Sequence, residues 1–525
     1  MPEPAERFSI IEDRKPRPPA EQFKSRESKE LVLAFSGPVG SGTDLVTDKS
    51  IELLNDYGYI VEKIKLSDYI KKLNNVKPVV SEDLTALSKK DRYEILQTAG
   101  NKLREQYTND ILAELAITHI AHHRLSAHIS KSEDATPQNI EPERVAYIID
   151  QLKHPEEVLL LRAVYGNLFY MIGVLCTYDK RKSKLIDEGL DPADAEHVME
   201  RDQKEDFKYG QQLDKTLELS DLFVRNNHSN SSAIEIQVKR FFELVHGKQG
   251  ITPTLDEYGM YSAYSASLKS ACLSRQVGAA ILNKHGNIIA TGCNDVPRCG
   301  GGLYEESDKE KDQRCIHIEG GKCFNDHHKL KLKEQLKNIL VQKTVNPDLV
   351  DAIAEELYLS TRLRDILEYS RSVHAEMDAI TSVARKGGNT IKGCYLFSTT
   401  FPCHNCARHI IASGIEKVVY IEPYEKSLAI ELHGDSIELE PDEAKMDGIK
   451  KVVFIHFEGI APNRYHQFFK APTKRKDKFG KLVTVSVREA PKIAPQYLDK
   501  YFDLESKVAQ HINSVGINCD EFKTD

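Results

Sequence analysis

No stretch of this chain is long and apolar enough to read as a membrane span. The longest candidate, Val158 to Cys176, is interrupted by Arg162, Gly166 and Asn167 and follows the acidic pair Glu156-Glu157. It divides more naturally into a helix ending near Gly166 and a buried strand from Leu168 to Cys176. The apolar core of a signal peptide is missing too. Pro2, Pro4, Pro16, Pro18 and Pro19 stand among many charges in the first thirty residues, the composition of a mobile arm over residues 1–29. Cysteine is sparse, ten in 525 residues with no regular spacing, which argues against a disulfide framework and for a reducing, cytoplasmic setting. Nor is there a basic excess: 72 basic and 80 acidic residues leave a net charge of −8, hence no global field for grasping nucleic acid. There is no internal repeat.

What is present points to an α/β protein. The length suggests several domains, and the pattern is read as two with insertions, over residues 30–250 and 251–495, followed by a helical tail over 496–525. In the first, Glu30 to Ser36 reads as a buried parallel strand. A loop follows at once, Gly37, Pro38, Val39, Gly40, Ser41 and Gly42, before a helix carrying Leu45, Val46, Ile51, Leu53 and Leu54. Strand, glycine loop and helix is the arrangement in which backbone N–H groups and a helix N-terminus face a phosphate. The loop matches G-x-x-x-x-G, but Thr43 and Asp44 stand where the phosphate-binding motif has Lys and Ser or Thr. Losing that lysine removes the charge that stabilises a phosphoryl group in transfer, and Asp44 adds one of the wrong sign. A regulatory nucleotide site is therefore expected here rather than a kinase. Further strands are read at Arg144 to Asp150 and Ser220 to Asn227, a helix start at His154-Pro155-Glu156-Glu157, and a polar lid-like stretch at Glu200 to Asp206. Strands alternating with helices imply a doubly wound parallel sheet. This half resembles P-loop nucleotide kinases without their catalytic lysine, and the resemblance implies a regulatory nucleotide, or RNA, as its ligand.

The second half carries the chemistry. His374-Ala375-Glu376 is followed by Pro402-Cys403-His404-Asn405-Cys406. Catalytic zinc takes three protein donors and keeps a fourth position open, and His374, Cys403 and Cys406 are three such donors. Pro402 and the apolar run Ala407, Ile410, Ile411 up to Gly414 place both thiols near a helix N-terminus, which favours the thiolate. His374 likewise opens a helical run with Ala379, Ile380, Val383 and Ala384 before Gly387-Gly388, so Glu376 can still reach round toward the same point. Zinc lowers the pKa of water to roughly 7, and Glu376 is the group to move protons. This spacing resembles the signature of hydrolytic zinc deaminases that act on cytosine or adenine. Wider stretches resemble the deoxycytidylate deaminases in particular: Ser270 to Ile281, Ile288 to Pro297, and Leu396 to Tyr420. The resemblance implies a cytidine-deaminase-like α/β/α fold, and it implies that Asn294 binds the deoxyribose hydroxyl, a role its amide chemistry permits.

Between these stretches an insertion is expected at about residues 304–369. Within or just before it lie Cys299, Cys315, His317, Cys323, His327 and His328, soft donors that suit a second, structural zinc, and deoxycytidylate deaminases often carry one. A helix is read from Leu349 to Leu367. Downstream, Arg464, Lys470, Lys474, Arg475, Lys476, Lys478 and Lys481 interleave with Tyr465, Phe468, Phe469 and Phe479. Such a mixture can hold a single strand or a triphosphate, or can be a solvated hairpin.

A P-loop domain without its lysine joined to such a deaminase resembles the bacterial anti-phage dCTP deaminases. That resemblance implies conversion of dCTP, with dCMP, to the uracil forms, depleting the dCTP that a phage needs, under restraint from the first domain. A homo-oligomer is expected. Two other readings use the same motifs: a deaminase that edits nucleic acid, and a nucleotide-sensing regulator whose zinc site is vestigial.

Overall fold

The computed structural model describes residues 27–81, 84, 89–129, 143–203, 210–227, 231–343, 346–366, 368–424, 427–441, 450–470, 476, 478, 481, 487 and 498–514. The expected arm therefore lies outside the described residues except for 27–29, as does the lid-like stretch beyond Gln203.

Two mixed α/β layers, each built on a six-stranded sheet, organise the chain. The first contains β1 (Leu31–Ser36), β2 (Ile60–Lys65), β3 (Val145–Asp150), β4 (Phe169–Leu175) and β5 (Leu222–Arg225), parallel throughout and in the order β2-β3-β1-β4-β5. Around it lie α1 (Thr43–Asp56), α2 (Leu66–Val76), α3 (Lys89–Gln106), α4 (Ile111–Ile129), α5 (Pro155–Tyr165), α6 (Tyr178–Asp187), α7 (Pro192–Gln203), α8 (Leu213–Glu218) and α9 (Ser231–Val245). Alternation in β1 shows why helices cover both faces. Leu31, Leu33 and Phe35 enter one core while Val32 and Ala34 enter the other, and all five are fully buried. His154 begins α5 with a capping box closed by Glu157, and Pro155 occupies the first turn.

The second layer begins at α10 (Leu255–Ser267), capped by Thr254 with Glu257. It continues through β6 (Gly278–Leu282), β7 (Ile288–Cys293), α11 (Phe324–Gln342), α12 (Pro347–Ser360), α13 (Ala375–Lys386), β8 (Tyr395–Thr400), α14 (His404–Ala412), β9 (Lys417–Glu422), α15 (Ala429–His433), β10 (Ile437–Leu439) and β11 (Val452–His456). The sheet order is β10-β11-β9-β8-β6-β7; β6 pairs antiparallel with both neighbours, and the strands from β8 outward are parallel. Much of the expected insertion is helical: α11 and α12 pack together, with Lys337 and Asp351 paired across them at 2.6 Å.

The chain then returns to the first sheet. β12 (Gly459–Ile460) pairs antiparallel with β5 and forms its edge. Short α16 (Tyr465–Phe469) follows, and α17 (Leu498–Ser514) ends the described chain. The buried Glu257 carboxylate fixes the return, accepting from Ile460 N (2.9 Å) while Arg240 holds it through two bonds of 2.7 Å. α17 is helical, as read, but it is a core element rather than a tail: Tyr501 and Ile512 are fully buried in the core that also holds Val32, Tyr147 and Phe169. A buried charge network locks it there. Arg124 of α4 grips Glu30 bidentately (2.7 and 2.9 Å) and donates to Glu505 of α17 (2.6 Å), while Tyr165 donates to Glu505 and Tyr501 to Glu30. One guanidinium serves two carboxylates, so removing it would leave both negative charges buried without their shared cation. Between the two sheets, Leu213 and Leu217 of α8 share a core with Leu175, Phe223, Met260, Phe397 and Val419. Among the described residues no helix is long and apolar enough to cross a membrane.

Candidate active site

Two helix starts meet at one point. His374 precedes α13 as its N-cap in extended backbone (φ −74°, ψ 152°), and Cys403 precedes α14 in the same way (φ −66°, ψ 163°). Cys406 lies in the first turn of α14. The donor atoms converge: His374 Nδ1 is 3.3 Å from Cys403 Sγ and 3.4 Å from Cys406 Sγ. Tetrahedral bonds of roughly 2.0–2.3 Å put neighbouring donor atoms about 3.4–3.8 Å apart. One nitrogen and two sulfurs at this spacing therefore fit zinc. Among the described residues, this trio is the group of His, Cys, Asp and Glu donors drawn close enough to hold a metal ion.

Backbone packing sets the trio in place. α13 starts hard against β7, where a Cβ on Gly292 would stand 2.2 Å from Ala375 O and 2.4 Å from Ala379 N. Only glycine allows that approach. Val373 N donates to Asp295 O (2.9 Å), and the Asp295 carboxylate accepts from Ala271 N and Val296 N, both at 2.8 Å. The two helix N-termini direct partial positive charge at the thiols. Hydrogen bonding from the Cys406 thiol holds the Cys403 thiol down to about 4, the state in which sulfur binds metal. Glu376, 4% exposed, lies in hydrogen-bond contact with Cys406, and burial pushes its carboxyl above the ordinary range. A cavity of about 600 Å³ opens onto His374, Glu376 and Cys403.

A model of the family described as "Cytidine and deoxycytidylate deaminase zinc-binding region" matches residues 253–422. The deoxycytidylate deaminase of Enterobacteria phage T2 is 33% identical over 169 residues, which are 31% of this chain and 78% of that protein. The chain belongs to the deoxycytidylate deaminase family. The human deoxycytidylate deaminase is 25% identical over 165 residues, 31% of this chain and 63% of that protein. A crystal structure of dCMP deaminase from the cyanophage S-TIM5 in complex with dCMP and dUMP is 22% identical, with a TM-score of 0.22 over 35% of this chain and 94% of that one.

Residues 1–252 of the chain lie outside the family match. Within it, Asn294 lines the cavity, but its side chain is already employed: Oδ1 accepts from Val277 N (2.7 Å) and Nδ2 donates to Arg275 O (2.9 Å). One N–H and one lone pair are left for a ligand. Among the cavity-wall residues not read as site residues in the sequence are Lys215, Arg275, Lys329, Phe401 and Tyr424. Phe401 carried a local signal, since it abuts Pro402. Lys329 sits in the insertion and Lys215 in the first half, where only tertiary structure connects them to His374.

The second candidate zinc set does not gather. Cys299 is exposed beside Gly300, Gly301 and Gly302, each at positive φ. His317 turns to Asp312 (3.2 Å), Cys323 caps α11, and His328 lies against the Tyr369 ring at 5.1 Å. His327 meets His328 edge-on, and Cys315 is buried. Close as these donors are in sequence, among the described residues they form no group within metal-binding distance.

The glycine loop occupies the carboxyl end of β1. Gly40 and Gly42 take φ of 79° and 77°, a left-handed backbone that glycine adopts without strain. A cavity of about 420 Å³ adjoins Pro38 to Asp44. Where the motif's lysine is missing, other cations approach: Lys153 Nζ bonds Gly37 O (3.0 Å), and Lys184 pairs with Asp44 (3.0 Å). Fully buried Asp202 of α7 accepts from Val39 N (2.6 Å) and pairs with Lys153 (2.9 Å). Thr43 Oγ1 accepts from Gln151 (3.1 Å) and contacts the Ser41 hydroxyl (3.0 Å). The basic and aromatic stretch after β12 is largely structural where described. Arg464 is paired with buried Asp221 (2.7 Å), Phe468 is 3% exposed, and Tyr465 stacks on Tyr261. Lys474, Arg475 and Phe479 lie outside the described residues.

Proposed function

We propose that this protein is a zinc-dependent hydrolase that removes the exocyclic amine of dCTP, and of dCMP, giving dUTP or dUMP and ammonia. The observation that carries the reading is the convergence of His374, Cys403 and Cys406 at two helix N-termini with buried Glu376 beside them. His374 Nδ1 and the two sulfurs would hold the metal. Zinc, when bound there, supplies a Lewis acid that makes water nucleophilic near neutral pH. Glu376 takes a proton from the attacking water and delivers it to the ring nitrogen beside the amino-bearing carbon. It then protonates the departing amine. A carbon–oxygen bond forms, the carbon–nitrogen bond breaks, and one water is consumed for each ammonia released. Burial raises the carboxyl's proton affinity and suits it to both directions of transfer. Phe401 and Tyr424 offer flat apolar surface for the base, and Asn294 keeps a donor and an acceptor for the sugar hydroxyl. The names of the phage and animal relatives support a deoxycytidine nucleotide as substrate.

In this reading the first half is a regulatory P-loop unit resembling nucleotide kinases, and the enzyme, a homo-oligomer of the cytoplasm, depletes dCTP in anti-phage defence. Its support is the strand, glycine loop and helix at the carboxyl end of β1, at the centre of a parallel sheet, where such folds take their ligands. Lys153 and Lys184 supply positive charge at the loop, while Thr43 in the lysine position argues against phosphoryl transfer. The test is a panel of dCTP, dCMP and deoxycytidine, followed by loss of cytosine absorbance and by ammonia release, with and without ATP, GTP and dTTP. Turnover of none of the three overturns the substrate assignment. Turnover indifferent to every added nucleotide overturns the regulatory one.

A further inference from the structure

The first half reaches into the deaminase cavity. α8 is a wedge: Leu213 and Leu217 are buried between the two sheets, which fixes the helix against the second layer. On its exposed side Lys215 lines the cavity that contains His374, Glu376 and Cys403. Two further cations line the same wall, Arg275 from the loop before β6 and Lys329 from α11. One acidic residue besides Glu376, Asp326, is on that wall, and Arg275 also leans on Glu422 at 3.3 Å. Three cations from three separate parts of the chain thus line the same cavity as Phe401, Tyr424 and the His374 site. A phosphorylated nucleoside brings anionic oxygens that ammonium and guanidinium groups bind with charge-assisted hydrogen bonds, and a neutral nucleoside does not.

We infer that Lys215 binds the substrate's phosphates, so that the deaminase pocket is assembled from both halves of the chain and selects phosphorylated substrate through a residue outside the family match. The inference rests on the reading of the protein as a deoxycytidine nucleotide deaminase. The geometry gives the arrangement a reason. α8 begins next to the glycine loop's own cavity, which Gln211 lines, and Gln212 N donates to Lys153 O (3.1 Å). The helix that presents Lys215 is therefore seated directly on the segment that carries Lys153 to the loop. Its ammonium donates to Gln212 Oε1 (3.0 Å), a neutral partner that a phosphate can displace.

The experiment measures kcat/KM of the full-length, zinc-loaded protein for dCTP, dCMP and deoxycytidine in the wild type, K215A, K215E and K215R. Lys215 is exposed, and circular dichroism with zinc analysis verifies that each variant keeps its fold and metal. Expected is a loss of about ten- to a hundredfold for dCTP in K215A, the range of one charge-assisted hydrogen bond. K215E should lose more and K215R should recover part, with deoxycytidine within about twofold throughout. Inorganic tripolyphosphate should compete with dCTP in the wild type and several-fold less well in K215E. Equal losses for dCTP and deoxycytidine would show a merely structural role and overturn the inference alone, as would no loss for either. A wild type inert toward all three substrates would overturn the deaminase reading and this inference with it.

Discussion

Replacing Glu376 with Gln probes the chemistry while sparing the architecture. The side chain keeps its shape, and the substitution removes a buried ionisable group whose proton affinity is already raised by burial, so neither folding nor the His374, Cys403 and Cys406 donor set should be disturbed. What is lost is the proton carrier. The other carboxylate on the cavity wall is Asp326 in the first turn of α11, on a different element from the thiols that Glu376 touches. Positioned proton transfer contributes about 10² to 10⁴ in rate, equivalent to roughly 3 to 5 kcal/mol of barrier at 1.36 kcal/mol per factor of ten. Here both the water and the departing amine depend on the same carboxylate, so the upper half of that range is expected. The assay is loss of dCTP absorbance, with zinc content and thermal midpoint measured on the same preparation. An E376Q protein that holds its zinc and melts like the wild type, yet turns over within tenfold of it, would refute the assignment.

Three further outcomes follow from other parts of the molecule. Cys403→Ser and Cys406→Ala should each abolish turnover and bring zinc, measured by elemental analysis, from about one ion per chain toward none; wild-type zinc content in an inactive C406A would contradict the ligand assignment. Arg124→Ala takes away the cation that the buried Glu30 and Glu505 carboxylates share and should cost about 3 to 5 kcal/mol in urea denaturation, whereas a loss under about 1 kcal/mol would mean the network is dispensable. His154, 1% exposed, accepts from Glu156 N through Nδ1, and burial lowers its pKa to about 4. The unfolded chain, near 6.5, takes up the proton first. Stability from this group is thus complete above about pH 6.5 and drains away as pH falls toward 4, amounting to about 1 to 2 kcal/mol between pH 7 and 5. An H154N variant should show that much less acid sensitivity in urea midpoints, and an unchanged pH slope would remove the histidine from the explanation.

How far the sequence disclosed this molecule depends on the range of the forces involved. The starts of α13 and α14 were legible because helix capping is local: His374 and Cys403 stand one residue before runs of apolar period, and Pro402 and Gly387 punctuate them. β1 and its loop were legible for the same reason, as an unbroken apolar run followed by glycines. What was not legible depends on long-range packing. Nothing near Lys215 announces that α8 is pressed between two sheets. Nothing near Glu505 announces that Arg124 awaits it. For the second zinc set, closeness along the chain says little about spacing between donor atoms, and among the described residues these six form no group as tight as His374, Cys403 and Cys406. Asn294 falls between these cases, since the residue was singled out but the backbone bonds that occupy much of its amide required the loop conformation.

The bond between Tyr501 and Glu30 joins residues 471 positions apart. A ribosome finishes the opening strand long before it makes its partner, and all that while the guanidinium of Arg124 has only one of its two carboxylates. The first sheet's core is thus sealed only after the second layer has been made. Nascent chains stalled upstream of α17 should remain open to protease around β1 and α4 even after the zinc-binding layer behind them has closed.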